Sequence, residues 1–306
     1  MKIHSFAALF SAFTLAVSAQ EASFQTPVLL IDKAGAFQRV WLIAATKTAI
    51  RYRETEVSTE TKDAKISEFS SIYIYEPREY SVAVDLYQAR KYEEAKAKFI
   101  EVKERFKPIE PLENSPSVLA AFQELECLRK LGDLEGLAAA LQTFVKTPLT
   151  REIQLRQLEL YVLWDAVRTK SWDRVEILAK ERENTRLPGD QRAQVAYCHG
   201  LALEGKNLPK EALFAYEIAM TADGGASEVI ARQAALRVLA IHHADPAVQA
   251  AINVWGTNDE NKNSKAYADL TEAAGVAELF EMSLGAGTPL PPEYKELLKY
   301  KLKTDG

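Results

Sequence analysis

The side chains with the widest chemical range in this chain are His199, His242 and His243, the thiols of Cys127 and Cys198, and neighbouring acids such as Glu93-Glu94. An imidazole beside a carboxylate can move a proton or hold a metal, a thiolate attacks carbon or binds zinc, and facing carboxylates cleave glycosidic bonds. None of these residues stands in the spacing that such chemistry needs. His242-His243-Ala244-Asp245 offers nitrogen and oxygen donors at a helix end, but adjacent helical residues point about 100° apart and do not share one metal. Histidines there are better explained by the negative end of the helix dipole. His199 falls at an interior position of an apolar-periodic segment, which favours a packed imidazole. Glu93-Glu94 lies in a solvated turn. No Gly-x-Ser-x-Gly elbow, phosphate-binding loop, His-Glu-x-x-His or Cys-x-x-Cys occurs. No catalytic residue, metal site or cofactor is expected.

The elements that hold these residues repeat. Val82-Ala83-x-x-Leu86 is followed by Ala95-x-x-x-Phe99-x-x-Val102, and His199-Gly200-x-x-Leu203 by Ala212-x-x-x-Tyr216-x-x-Ala219. In both, twelve residues separate a small residue from its small counterpart, the spacing that lets two antiparallel helices lie close. A second unit runs through Leu125, Leu128, the Leu131-Gly132-Asp133-Leu134 turn, Leu137, Leu141 and Phe144. A third runs through Leu163, Ala166, Trp172, Val175 and Ala179, and a degenerate fifth through Ala234, Val238, Ile241, Ala250 and Val254. The second-helix anchors Ala95, Leu137, Val175, Ala212 and Ala250 are 42, 38, 37 and 38 residues apart. Cys127 and Cys198 sit in the first helices of the second and fourth units, too distant for a disulfide, and are expected to be buried free thiols.

Ahead of the helices, Val28 to Tyr75 is rich in β-branched and aromatic residues. Val40-Trp41-Leu42-Ile43, Ala49-Ile50-Arg51-Tyr52-Arg53 and Ser71-Ile72-Tyr73-Ile74-Tyr75 read as short strands between turns. Glu76-Pro77 marks the switch to a helical period. The first residues differ again: Lys2, an apolar stretch from Phe6 to Val17, and Val17-Ser18-Ala19 have the layout of a secretory signal peptide spanning residues 1–19. Beyond it no segment has the length and apolarity of a membrane-spanning helix. Of the 306 residues 47% are hydrophobic and 26% charged, and the net charge is −5, which gives no basic face for a nucleic acid.

Lys91-Tyr92-Glu93-Glu94-Ala95 is very close to the turn and second-helix signature of tetratricopeptide repeats, and residues 78–256 resemble that family. Its usual period is 34 residues, so the longer units here imply a less regular superhelix. The segment 24–76 resembles the SH3-like or Sm-like barrels that precede helical repeats in some exported bacterial proteins, with a plain β-hairpin cap as the alternative. The fold expected is therefore mainly α, a solenoid of helical hairpins behind a small all-β unit. Residues 257–306, containing Gly285-Ala286-Gly287-Thr288-Pro289, are expected to supply capping helices around a spacer.

The resemblance implies a binding groove lined by the first helix of each unit. Carried across residue by residue, it selects Tyr80, Val84 and Tyr87; Phe122, Glu126, Arg129 and Lys130; Leu160, Trp164 and Arg168; and Tyr197, Leu201 and Glu204. The same aromatics also fit packing between adjacent repeats. The Lys/Asn carboxylate clamp of chaperone-binding members is not matched. The expected function is a non-enzymatic, exported adaptor that holds a segment of another envelope or secreted protein, periplasmic or extracellular. A glycan- or small-molecule-binding or hydrolysing protein using Trp164, Tyr197 and nearby acids, or a self-associating homo-oligomer, are the alternatives.

Overall fold

The computed structural model describes residues 24–302 except 184, 224 and 286; the signal-peptide expectation at 1–19 lies outside the described residues. Five strands open the chain: β1 (Thr26–Asp32), β2 (Phe37–Ala45), β3 (Ala49–Arg53), β4 (Lys62–Lys65) and β5 (Phe69–Ile74). They form one antiparallel sheet in the order β4-β3-β2-β1-β5. The first four make a meander, and a 3-10 turn at Ile66–Glu68 then returns β5 to the free edge of β1. Alternation does the rest. Val28 and Leu30 of β1, Val40 and Leu42 of β2 and Ile50 of β3 point to one face and are buried there. That face shares a single core with Ala83, Phe99, Val102, Phe106 and Ile109 of the following helical segment.

The helices come in consecutive pairs: α1 (Arg78–Gln88) with α2 (Tyr92–Arg105), α3 (Pro116–Leu131) with α4 (Leu134–Thr143), and α5 (Glu152–Arg168) with α6 (Trp172–Glu183). Then follow α7 (Gly189–Gly205) with α8 (Pro209–Thr221), and α9 (Glu228–Ala244) with α10 (Pro246–Val254). Each pair packs on the next, with α1, α3, α5, α7 and α9 forming one layer.

Four of the five turns are built alike. Arg90, Gly132, Lys170 and Asn207 each adopt a positive φ, of 62°, 74°, 52° and 60°. In every case the next residue's N–H reaches back five residues, as Lys91 to Leu86, Asp133 to Leu128, Ser171 to Ala166 and Leu208 to Leu203, at 2.9–3.0 Å. The left-handed residue itself bonds three residues back, which completes a Schellman motif. Each left-handed residue lies five positions before the expected second-helix anchor. Those anchors, Ala95, Leu137, Val175 and Ala212, are buried. The spacing of small residues has a steric reason: a Cβ on Gly200 would lie 2.4 Å from the Tyr216 ring.

The fifth pair departs from the expectation. Its turn is Asp245 alone, which caps α10 by accepting from the Ala247 N–H at 2.8 Å, and Pro246 starts the helix immediately. The shorter turn rotates α10, so Val248 is the buried anchor and Ala250 is exposed. After a polar loop, α11 (Lys265–Leu279) continues through a π turn to Leu284, and α12 (Pro292–Lys295) runs into a 3-10 turn ending at Tyr300. These close the stack: Leu290 and Leu297 are buried, and Trp255 lies stacked on Tyr267 at 5.0 Å and edge-on to Tyr300 at 5.3 Å.

Candidate functional site

The inner layer of helices carries all thirteen residues expected to line a groove, and none of them is exposed. Tyr80, Phe122, Arg129, Lys130, Leu160, Trp164 and Tyr197 are buried; Val84, Tyr87, Glu126, Arg168, Leu201 and Glu204 are half-buried. The aromatic ones fill the layer itself. Tyr80 meets Phe99 edge-on at 5.7 Å, Trp164 lies 6.2 Å from Tyr197, and Tyr197 lies 5.8 Å from Tyr216. The indole N–H of Trp164 donates to Gln194 Oε1 at 2.9 Å. Leu201 packs against the larger core, Glu204 accepts from the Tyr216 hydroxyl, and Arg168 pairs with Asp165 and Glu135. Trp164 and Tyr197 face the interior, whereas Tyr87, Phe122 and Glu126 also line an opening on that face. Each inner helix touches both its own partner and its neighbours, so most of its circumference is interior.

Where the inner face does open, its lining mixes polar and apolar side chains, and Gln154, Gln157 and Gln191 there are buried. A cavity of about 250 Å3 opens between α1, α3, α5 and α7, lined by Tyr87, Phe122, Gln123 and Glu126, by Ile153, Gln154 and Gln157, and by Asp190 and Gln191. The glutamines recur as Gln-x-x-Gln, at 154/157 on α5 and 191/194 on α7, which places both members of each pair on one helix face. Gln157 and Gln194 exchange amide hydrogen bonds at 2.9 and 3.0 Å. Gln191 donates to Ile153 O at 3.2 Å, and the Oε1 atoms of Gln154 and Gln191 are buried without a hydrogen-bond partner. A buried carbonyl left unpaired costs about 1–3 kcal/mol, so these positions favour a donor arriving from outside.

The floor is an ion pair. Arg129 grips Glu126 with two hydrogen bonds, at 2.9 and 2.7 Å, and Tyr161 adds its hydroxyl at 2.6 Å. Burial alone would raise the Glu126 carboxyl, but Arg129 and Tyr161 hold it below the usual carboxylate range. Asp190, in the first turn of α7, is raised by burial, which outweighs the Gln191 N–H that it accepts.

One turn further along α3, the Lys130 ammonium donates to Ala226 O at 2.7 Å and stands 3.4 Å from Glu228, the first residue of α9. Tyr92 donates its hydroxyl to the same carboxylate, and Arg90 lies 3.9 Å away. Burial, then Arg129, pull Lys130 below its ordinary value despite Glu228. The stack thus curls until its fifth hairpin meets the first two, and residues 226–228 strap one end of the trough.

The histidines are placed singly. His242 is buried beside Glu272, with Nε2 3.6 Å from its carboxylate; His243 meets Tyr294 edge-on; Asp245 pairs with Lys210 at 2.8 Å. Among the described residues no group of three or more His, Cys, Asp or Glu is arranged to hold a metal ion. Cys127 and Cys198 are buried and unpaired, and burial pushes the Cys127 thiol up to about 12. No helix among the described residues is long and apolar enough to cross a membrane. The chain matches no family model, no curated protein and no solved structure in the three comparisons, so its geometry alone carries the functional argument.

Proposed function

We propose that this protein is a non-enzymatic, exported adaptor of tetratricopeptide type, with an SH3-like or Sm-like unit at its N-terminal end. The observation that carries this reading is the trough to which four successive inner helices contribute, with two unpartnered amide oxygens beside it. Neighbouring helices pack about 10 Å apart, so a segment crossing all four spans about 30 Å, or about nine extended residues. Gln154 and Gln191 each keep a side-chain oxygen without a partner beside it, the complement of a peptide N–H. The four matching Schellman turns support the repeat assignment, and the meander followed by a 3-10 turn and a returning strand supports the barrel assignment. The partner envisaged is an envelope or secreted protein, in keeping with the signal-peptide layout of residues 1–19.

Trp164 and Tyr197 are interior, which leaves a glycan site built on them without an opening. Self-association has a separate observation in its favour: on the outer face of the sheet Phe37 is 75% and Tyr73 55% exposed. Light scattering over a concentration series tests it.

The adaptor reading is tested by crosslinked capture from the native envelope, comparing the wild type with a Gln123→Ala, Ile153→Ala, Asp190→Ala triple variant. These side chains are exposed or half-buried, so the fold should persist. A protein retained by the wild type and lost by the variant supports the adaptor. Equal capture, or none, counts against it.

A further inference from the structure

A second cavity, of about 260 Å3, lies on the other side of the helix layer, between α6, α7 and α8. Its walls include Leu187, Val195, Leu203 and Ile218, and Phe214 stands at it with 70% of its surface exposed. One interior polar group interrupts these walls. His199 of α7 is only 13% exposed in its side chain, and its Nδ1 lies 2.6 Å from Glu183 Oε1 at the end of α6. A carboxylate accepts, so Nδ1 carries a proton, and in the neutral tautomer that this selects Nε2 is an acceptor. That Nε2 is buried and has no hydrogen-bond partner.

Other charged groups at the cavity are already engaged or lie in solvent. Arg182 donates to the backbone carbonyls of Leu178 and Glu159, Arg192 is exposed and donates to Ala222 O, and Glu211 is exposed in the first turn of α8. The volume falls below the ~300 Å3 at which drug-sized pockets begin and suits one aromatic ring. A buried acceptor of this kind remains costly until a donor reaches it. Aromatic rings that carry one donor, phenol and indole, bury a large apolar surface and keep a single polar tip.

We propose that this cavity is a binding site for an aromatic ring bearing one hydrogen-bond donor, a phenol or an indole, whose O–H or N–H donates to His199 Nε2. Glu183 is a positioning residue that fixes the tautomer. The proposal is independent of the adaptor reading, because the site lies on a different face and uses none of the trough residues.

The test uses the full chain and follows the His199 ring by 15N-detected histidine NMR during titration with p-cresol, 3-methylindole or toluene. The three rings have similar apolar bodies, and only the first two carry a donor. The expected result is binding of p-cresol and 3-methylindole about tenfold tighter than toluene, the equivalent of one hydrogen bond, with a shift of His199 Nε2 that toluene does not produce. In His199→Phe, checked for an unchanged unfolding midpoint, the discrimination should vanish while weak binding of all three persists. Capped tyrosine and capped phenylalanine amides then separate a polypeptide side chain from a free aromatic as the source. Equal affinity for p-cresol and toluene in the wild type, an unmoved Nε2, or no binding of any ring would overturn the proposal, whatever becomes of the variant.

Discussion

Removing the Lys130 ammonium should uncouple the two ends of the helix stack. In Lys130→Met the side chain keeps its length and loses its charge, leaving the Glu228 carboxylate 10% exposed with the Tyr92 hydroxyl and a distant Arg90 as its remaining partners. Stripping one member from a buried pair costs about 3–5 kcal/mol. Because Tyr92 and Arg90 persist, the loss should fall below that range, at about 2–3 kcal/mol. For a chain of this size that is a fall in Tm of about 4–8 °C. The pair joins residues 98 apart in sequence, so the loss should also lower the cooperativity of unfolding. Urea unfolding followed by tryptophan fluorescence and by circular dichroism should be coincident in the wild type and separate in the variant. A double-mutant cycle with Glu228→Gln should return a coupling of about 1–2 kcal/mol. A coupling below about 0.5 kcal/mol, with transitions unchanged in shape, would refute the claim that this contact straps the trough.

Other consequences follow from single residues. Gly200→Ala places a methyl against the Tyr216 ring and should cost about 1–3 kcal/mol in urea unfolding, as overpacking does. Lys170→Gly relieves a left-handed non-glycine residue in the α5–α6 turn and should stabilise by about 1 kcal/mol, whereas Gly132→Ala should destabilise by a similar amount. Glu176 is held at about 2 by hydrogen bonds from Lys180 and Lys206. A depressed carboxylate contributes stability that is fully present above its ordinary value of 4.5 and is lost as pH falls toward about 2. Glu176→Gln should therefore flatten the stability profile across that window, with the loss greatest near neutrality and vanishing as pH falls toward about 2. Neither Cys127 nor Cys198 should react with a thiol reagent at pH 8 until the chain is unfolded, since both are buried and raised above their ordinary values.

The hairpin architecture was legible because it depends on local sterics. The small residues Ala83, Ala95, Gly200 and Ala212 mark where helices approach, and Gly132 marks a left-handed turn outright. The equivalent turn residues Arg90, Lys170 and Asn207 carried no such mark, and only the recurring distance to the next anchor ties them together. The strands at 40–43, 49–53 and 71–75 were readable from β-branched and aromatic content, and all fall within observed strands except Tyr75, one residue beyond β5. The fate of the groove residues was not readable. In α7 nearly every residue from Gln191 to Cys198 is buried, so no periodicity distinguishes a partner-facing side from a packed one. The trough glutamines were overlooked because polar residues on an inner helix resemble surface residues in sequence. Their matched Gln-x-x-Gln spacing in two successive units was the available signal. The Lys130–Glu228 contact depends on how far the stack curls, a property of every hairpin interface together.

Site-specific photo-crosslinking tests the adaptor account most directly. A crosslinking amino acid placed at Gln123 or Ile153 lies within the trough, and one placed at the exposed Ile177 of α6 serves as the control outside it. The account predicts that both trough positions capture one polypeptide, that its crosslinked residues lie within a segment of about nine, and that Asp190→Ala suppresses the product. Crosslinks arising only at Ile177, or trough products indifferent to Asp190→Ala, would contradict it.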